Sequence, residues 1–160
     1  MSASTVLFLA ILLCPFFVDN VDSASCYDPY VTIKWSHNGM VLDASEEIVH
    51  LRNVTQTAGQ LWKLRHRCDG TFYIFNSRNG CGLAIRDTEL VTSCSYKSES
   101  YYWYINWDGS IVNFSGAKMA IDVAEEHRVL AAEKDGSPSQ KFEFSCVCCP
   151  YCFMFGSSCC

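Results

Sequence analysis

Three large aromatic residues recur at nearly equal intervals: Trp62, Trp103 and Phe142 lie 41 and 39 residues apart. Each closes a segment of similar form, "GQLWKL" in the first, "SYYWYI" in the second and "SQKFEF" in the third. The segments also begin alike, with a β-prone run, a turn, a tight apolar pair and then a charge. They read "VTIKWSHNGMVLDA" at 31–44, "TFYIFNSRNGCGLAIRD" at 71–87 and "SIVNFSGAKMAIDV" at 110–123. A period near 40 marks a repeat architecture, and it limits the open folds more than composition does.

Each opening segment places Asn or Gly between two apolar stretches, which is hairpin chemistry because these residues tolerate positive φ. Glycine-containing turns, "CDGT" at 68–71 and "WDGS" at 107–110, follow the first two closing aromatics. β-branched and aromatic residues come in short runs broken by turn signals, while helical periodicity is poor. The most helix-tolerant stretch, "AEEHRVLAAEKD" at 124–135, is read as strand and loop by analogy with its counterparts. Three all-β units of this size cannot each bury a core, so they must share one. The pseudo-threefold solution is an all-β fold, the β-trefoil. It has three pseudo-symmetric four-stranded repeats, here about 28–66, 67–106 and 107–145, and a short barrel closed at one end by three hairpins. The recurring aromatics then pack on the common axis, each contributing about 1.5–3 kcal/mol by burial.

The glutamine-x-tryptophan ends, the Asp-Gly turns and the apolar-apolar-Asp motif resemble the ricin B-chain type of β-trefoil lectin domain, over residues 28 to 145. The first repeat keeps Gln60 and Trp62; the second has Tyr101 and Trp103; the third has Gln140 and Phe142. The resemblance implies sugar binding by the Asp after the apolar pair. An aromatic residue in the following hairpin and an Asn or Gln beside the glutamine-x-tryptophan motif would assist it. Carried over, the Asp is Asp43 in the first repeat and Asp122 in the third. Arg86 takes that place in the second, so its site is expected to be lost, and Asp87 should face away because strand residues alternate. No aromatic partner stands in the matching hairpins: "VHLRNV" offers His50 and Arg52, and "RVLAAEK" has no ring. Gly59 and Ser139 precede the two glutamines, where a sugar-binding repeat tends to carry Asn.

Two readings of Asp43 and Asp122 stay open. They cap hairpins by accepting local backbone N–H bonds, or they contact a sugar. The expected carbohydrate-binding residues are Asp43, His50, Gln60, Asp122 and Gln140, with the first repeat the better furnished. The implied partners are glycans or glycoproteins.

The chain has 160 residues and 11 cysteines, a high count for an intracellular protein. "TVLFLAILLCPFFV" followed by "DSAS" predicts a signal peptide over residues 1–25, cut near Ser25–Cys26, and hence a secreted, extracellular protein. No Lys or Arg precedes the run. The alternative is an uncleaved anchor, for which the run is short, and no membrane span is expected. Cleavage removes Asp19 and Asp22, moving the net charge from -5 to -3. A mildly acidic chain of this kind is a poor nucleic-acid binder. Residues 26–145 suffice for one domain.

For the cysteines, the resemblance implies a disulfide between Cys81 and Cys94, which flank the second-repeat hairpin. Cys26 could reach Cys146 because chain ends meet in a trefoil, and the sequence suggests no partner for Cys68. The tail at 146–160, "CVCCPYCFMFGSSCC", holds six cysteines. It suits disulfides, within the chain or linking an oligomer. A thiolate metal cluster and lipidation are the other readings. "NVT" at Asn53 and "NFS" at Asn113 are glycosylation acceptors, Asn53 the more accessible in its polar loop. A glycan at Asn53 would also crowd the first-repeat pocket. His37, His50, His66 and His127 lack the spacing of a zinc site or a nucleophile elbow, and Glu46–Glu47 and Glu125–Glu126 read as solvated charge. Neither an enzyme nor a cofactor is expected.

Overall fold

The computed structural model describes residues 30–95, 99–115 and 118–147. The expected signal peptide (1–25), Cys26 and the tail from residue 148 lie outside the described residues. The strands are β1 (Tyr30–Trp35), β2 (Val41–Asp43), β3 (His50–Arg52), β4 (Trp62–His66), β5 (Phe72–Asn76) and β6 (Gly82–Arg86). They continue with β7 (Glu89–Ser93), β8 (Trp103–Ile105), β9 (Ile111–Asn113), β10 (Met119–Val123), β11 (Val129–Glu133) and β12 (Phe142–Cys146). Short 3-10 turns at Ala58–Gln60, Glu99–Tyr101 and Pro138–Gln140 each end one residue before the position that precedes a closing aromatic strand. A fourth, Glu125–His127, splits the stretch 124–135 into a turn and β11.

All strands join one antiparallel sheet. Its ladders close a ring of seven strands, β5-β6-β7-β11-β10-β9-β8 and back to β5, with the remaining strands attached through β4 and β1. The all-β expectation holds, while the ladders form a closed seven-stranded ring with further strands attached and do not divide into the expected three four-stranded repeats. Pairing crosses the expected unit limits at β4–β5, β8–β9 and β7–β11, because a short isolated ladder would leave edge N–H and C=O groups unpaired. β1 pairs with β12 from Val31↔Cys146 to Trp35↔Phe142, and the Val147 N–H donates to the Tyr30 carbonyl, joining the two ends of the domain. The last strand therefore takes in Cys146, one residue past the expected limit at 145.

The Asp-Gly turns are near copies. Asp69 Oδ1 accepts the Thr71 N–H (3.1 Å) and hydroxyl (2.6 Å), and Asp108 Oδ1 accepts those of Ser110 (3.0 and 2.7 Å). Gly70 and Gly109 both stand at φ 83°, where a side chain would be strained.

Trp62 and Trp103 are fully buried and Phe142 nearly so, in a core with Ile33, Leu42, Ile74, Leu83, Ile111 and Ile121. The indoles also satisfy their polar edges. Trp62 Nε1 donates to the Leu42 carbonyl (3.1 Å) and Trp103 Nε1 to the Leu83 carbonyl (2.9 Å). The recurring aromatics are fold residues. Register sets Asn76 opposite Trp62, Asn113 opposite Trp103 and Trp35 opposite Phe142. Asn76 and Asn113 spend their amides on main-chain carbonyls of Gly59 (2.8 Å) and Ser100 (2.9 Å), whereas the buried Trp35 indole N–H has no acceptor among the described residues.

Candidate carbohydrate site

The hairpin of β2 and β3 and the hairpin of β10 and β11 each carry an Asp locked by a Gln. Gln60 Nε2 donates to Asp43 Oδ2 (3.0 Å) and to the Asn53 carbonyl (2.8 Å). Its Oε1 accepts the N–H groups of Thr55 (2.7 Å) and Gln56 (3.0 Å). Gln140 repeats the pattern with Asp122 Oδ2 (3.0 Å), the Glu133 carbonyl (2.8 Å) and the N–H groups of Asp135 (3.1 Å) and Gly136 (3.4 Å). One fully buried amide thus ties a strand carboxylate to the loop that follows the hairpin.

The two carboxylates differ in what remains of them. Asp43 is buried, and its Oδ1 accepts the Ser45 N–H at 2.7 Å, so both oxygens are engaged. Burial works to raise its carboxyl, but the Ser45 and Gln60 bonds, with Arg52 nearby, outweigh it and hold the group below the usual carboxylate range. Asp122 is half-buried, and its Oδ1 has no hydrogen-bond partner among the described residues. The hairpin-cap reading describes Asp43; Asp122 keeps an open oxygen.

His50 lies directly across from Asp43 in register but faces Glu46 (3.8 Å). Glu46 and Glu47 are exposed as expected, yet both are paired, Glu46 with Arg52 (3.0 Å) and Glu47 with Arg86 (2.5 Å). In the hairpin of β6 and β7, Arg86 is drawn to Glu47 and Tyr101 fills the glutamine slot, its hydroxyl within bonding distance of Ser93 Oγ (2.7 Å) and Ser95 Oγ (2.9 Å). No Asp–Gln lock forms there. What remains is a depression of about 200 Å³ lined by Arg86, Ser93, Ser100, Tyr101 and the apolar side chains of Ala84 and Val91. Asp87 is exposed in the turn after β6 at φ 59°.

Sequence reasoning found no ring in the third hairpin, but His127 belongs to it. It sits at φ 60° in the connection from β10 to β11, edge-on to Trp35 with ring centroids 6.1 Å apart and near Asn38 Nδ2 (3.4 Å). His37 packs on the same Trp35 at 4.9 Å. The sequence signal was a residue able to hold positive φ in a tight connection, two positions before Val129.

Cys81 and Cys94 form a disulfide across the open end of the β6–β7 hairpin, where Gly82 and Ser93 pair. Cys68 is disulfide-bonded too. Asn53 is exposed, as an acceptor must be. Asn113 is buried and its Nδ2 donates to the Ser100 and Tyr102 carbonyls (2.9 and 3.3 Å), so a glycan on that nitrogen is incompatible with this packing. Among the described residues no group of three or more His, Cys, Asp and Glu could hold a metal ion, and no helix is long and apolar enough to cross a membrane.

No protein-family model and no curated protein matches the chain. Solved structures do. The GlcNAcα1-4Gal-releasing endo-β-galactosidase of Clostridium perfringens is similar at 18% identity and TM-score 0.66, over 74% of this chain and 32% of that one. The designed threefold-symmetric protein ThreeFoil is similar at 16% identity and TM-score 0.64, over 72% of this chain and 96% of that one. The agglutinin of Abrus precatorius is similar at 21% identity and TM-score 0.60, over 73% of this chain and 47% of that one. This chain thus spans about a third of the galactosidase and under half of the agglutinin. At these identities the likeness establishes the fold, a β-trefoil.

Proposed function

We propose that this chain is a secreted β-trefoil built from three four-stranded units that recognises carbohydrate without catalysis, with Asp122 as the ligand-facing carboxylate. One observation carries the reading: Gln140 fixes one Asp122 oxygen and leaves the other open. A sugar hydroxyl pair needs an oriented acceptor whose capacity is not already spent on the protein. His127 in the same hairpin, with Trp35 and His37 behind it, offers ring surface for the apolar face of a sugar. The agglutinin and the galactosidase among the similar structures support the same ligand class. Glycans or glycoproteins are the expected partners, and Asn53 is the expected glycosylated residue.

A glycan array probed with the mature, disulfide-intact protein tests the reading. Binding to at least one glycan is expected, weakened about tenfold or more in Asp122→Asn and kept in Asp43→Asn. Binding to no glycan, or binding indifferent to Asp122→Asn, removes the lectin reading. The closed Asp43 carboxylate favours a second reading, a sugar-inactive trefoil that serves as an extracellular interaction or disulfide-linked structural module. That module would give a blank array and a multimer on non-reducing gels.

A further inference from the structure

The outside of the barrel carries a second surface, made by other strands than the Asp–Gln locks. Strand alternation brings Tyr73 and Phe75 of β5, Tyr104 of β8 with the preceding Tyr102, and Phe114 after β9 to one outward face. Their rings touch in sequence. Phe75 stacks on Tyr73 with centroids 5.5 Å apart, and Tyr73 meets Tyr102 edge-on at 5.2 Å. Tyr102 reaches Phe114 at 6.1 Å, and Phe114 reaches Tyr104 at 5.8 Å. All five are half-buried or exposed. The turn at the other end of the β8–β9 hairpin carries Trp107, which is fully exposed.

Cations line the same face. Arg65 stands opposite Tyr73 in the β4–β5 register, exposed and with no carboxylate partner among the described residues. Arg67 lies over the Tyr102 ring at 3.6 Å and over the Tyr73 ring at 5.6 Å, with Asp69 at 3.0 Å. Scattered exposed rings are ordinary on a soluble domain, but a connected row beside guanidinium groups is a recognition surface.

We propose that this face binds an acidic polysaccharide, whose sugar rings lie on the aromatic row and whose carboxylate or sulfate groups meet Arg65 and Arg67. The charge count selects this occupant. A chain of net charge -5, or -3 after the expected cleavage, with two guanidinium groups here repels a dense polyanion such as nucleic acid, and it suits a polymer with sparse anions between ring faces. An acidic peptide would satisfy the arginines and leave the ring row without use.

The site is independent of Asp122, and the test keeps the two apart. Mature protein is titrated with hyaluronate and κ-carrageenan, whose carboxylate and sulfate groups are spaced by neutral sugars, with neutral dextran, and with polyglutamate and single-stranded DNA as polyanions of other classes. Binding to the carboxylate or the sulfate polymer is expected, with neutral dextran inert and affinity falling as salt rises. Arg65→Gln and Tyr104→Ser should each weaken it about tenfold with unchanged melting temperature, while Asp122→Asn leaves it intact. The proposal is overturned if neither acidic polysaccharide binds, or if both variants bind as wild type. It also falls if Asp122→Asn weakens binding equally, or if polyglutamate or DNA binds as tightly as the polysaccharides.

Discussion

The first and third hairpins hold the same two-residue lock and finish it differently. In both, a buried glutamine amide grips a strand carboxylate and the main chain of the loop beyond. Two small residues then decide whether the carboxylate is internal. Two positions after Asp43 stands Ser45, whose N–H closes on Oδ1 at 2.7 Å; the counterpart Ala124 sends its N–H to the Arg128 carbonyl at 2.9 Å instead. Before Gln60 stands Gly59, where an added Cβ would lie 2.6 Å from Ser45 Oγ and 2.9 Å from Asp43 Oδ1; Ser139 occupies the same place before Gln140. A lock that builds the fold in one unit leaves an acceptor facing water in the other, without any change in the residues that form it.

The largest expected difference between the units comes from removing the glutamines. Gln60→Leu strands two loop N–H groups, a carbonyl and the buried Asp43 carboxylate, and should cost about 3–5 kcal/mol in urea unfolding. Gln140→Leu removes the same number of bonds beside a half-exposed carboxylate that water can reach, so about 1–3 kcal/mol is expected. Equal losses would break the distinction between a closed and an open unit.

Exchanging the residues before the glutamines comes next. Gly59→Ser puts a side chain against the Ser45 main chain at 3.0 Å and against the Asp43 carboxylate, and about 1–3 kcal/mol should be lost to overpacking. Ser139→Gly removes only a hydroxyl paired with Ser137 Oγ (2.7 Å) and adds chain freedom, with about 1 kcal/mol or less expected. Thermal unfolding of both variants measures the pair. If Gly59→Ser is silent, the first hairpin has room that its geometry denies.

Most of the fold was legible because it rests on repetition. The interval of Trp62, Trp103 and Phe142 and the two Asp-Gly turns point to an all-β threefold chain, and the turns are near copies in the fold. Pairing across unit limits was not legible, since a bond between β7 and β11 joins residues some forty apart with no local signal. The site was half legible. Asp43, Asp122, Gln60 and Gln140 could be named from their motifs, but their exposure depends on Ser45 against Ala124 and Gly59 against Ser139, which look interchangeable on paper. Asn113 reads as a sequon in the chain and as a buried slot residue in the fold, because its neighbour across the sheet is Trp103. The outward aromatic row draws on three separate stretches of chain, and only the alternation within β5 hinted at it.

Replacing the core indole of the closed unit with the ring of the open one should matter less than the Gly59 exchange. Trp62→Phe gives the first unit the phenyl that Phe142 supplies in the third, and it removes the bond to the Leu42 carbonyl beside Asp43. A loss of about 1–2 kcal/mol is expected, from one buried bond and some packing. Trp35→Phe is the control, with a smaller loss, because the Trp35 indole N–H has no acceptor among the described residues to give up. Should the two cost the same, the indole bond contributes nothing and only ring volume counts.

The smallest effect asks whether Ser45 is what closes Asp43. Ser45→Ala copies Ala124 into the first hairpin and deletes the hydroxyl contribution to Oδ1 while leaving the main-chain bond, so roughly 1 kcal/mol or less should be lost at neutral pH. Its pH dependence has a definite sign. Because folding lowers the Asp43 carboxyl, the stability it contributes is present above the unfolded value of about 3.9 and is lost as pH falls through the lower folded value. The wild type and Ser45→Ala should therefore differ most at neutral pH and converge in acid, once the carboxyl is protonated in both. Urea midpoints taken from pH 7 down through the folded value read this directly. A difference that persists or grows in acid would mean that Ser45 acts through packing, and that the closure of the first site lies with Gly59 and Gln60 alone.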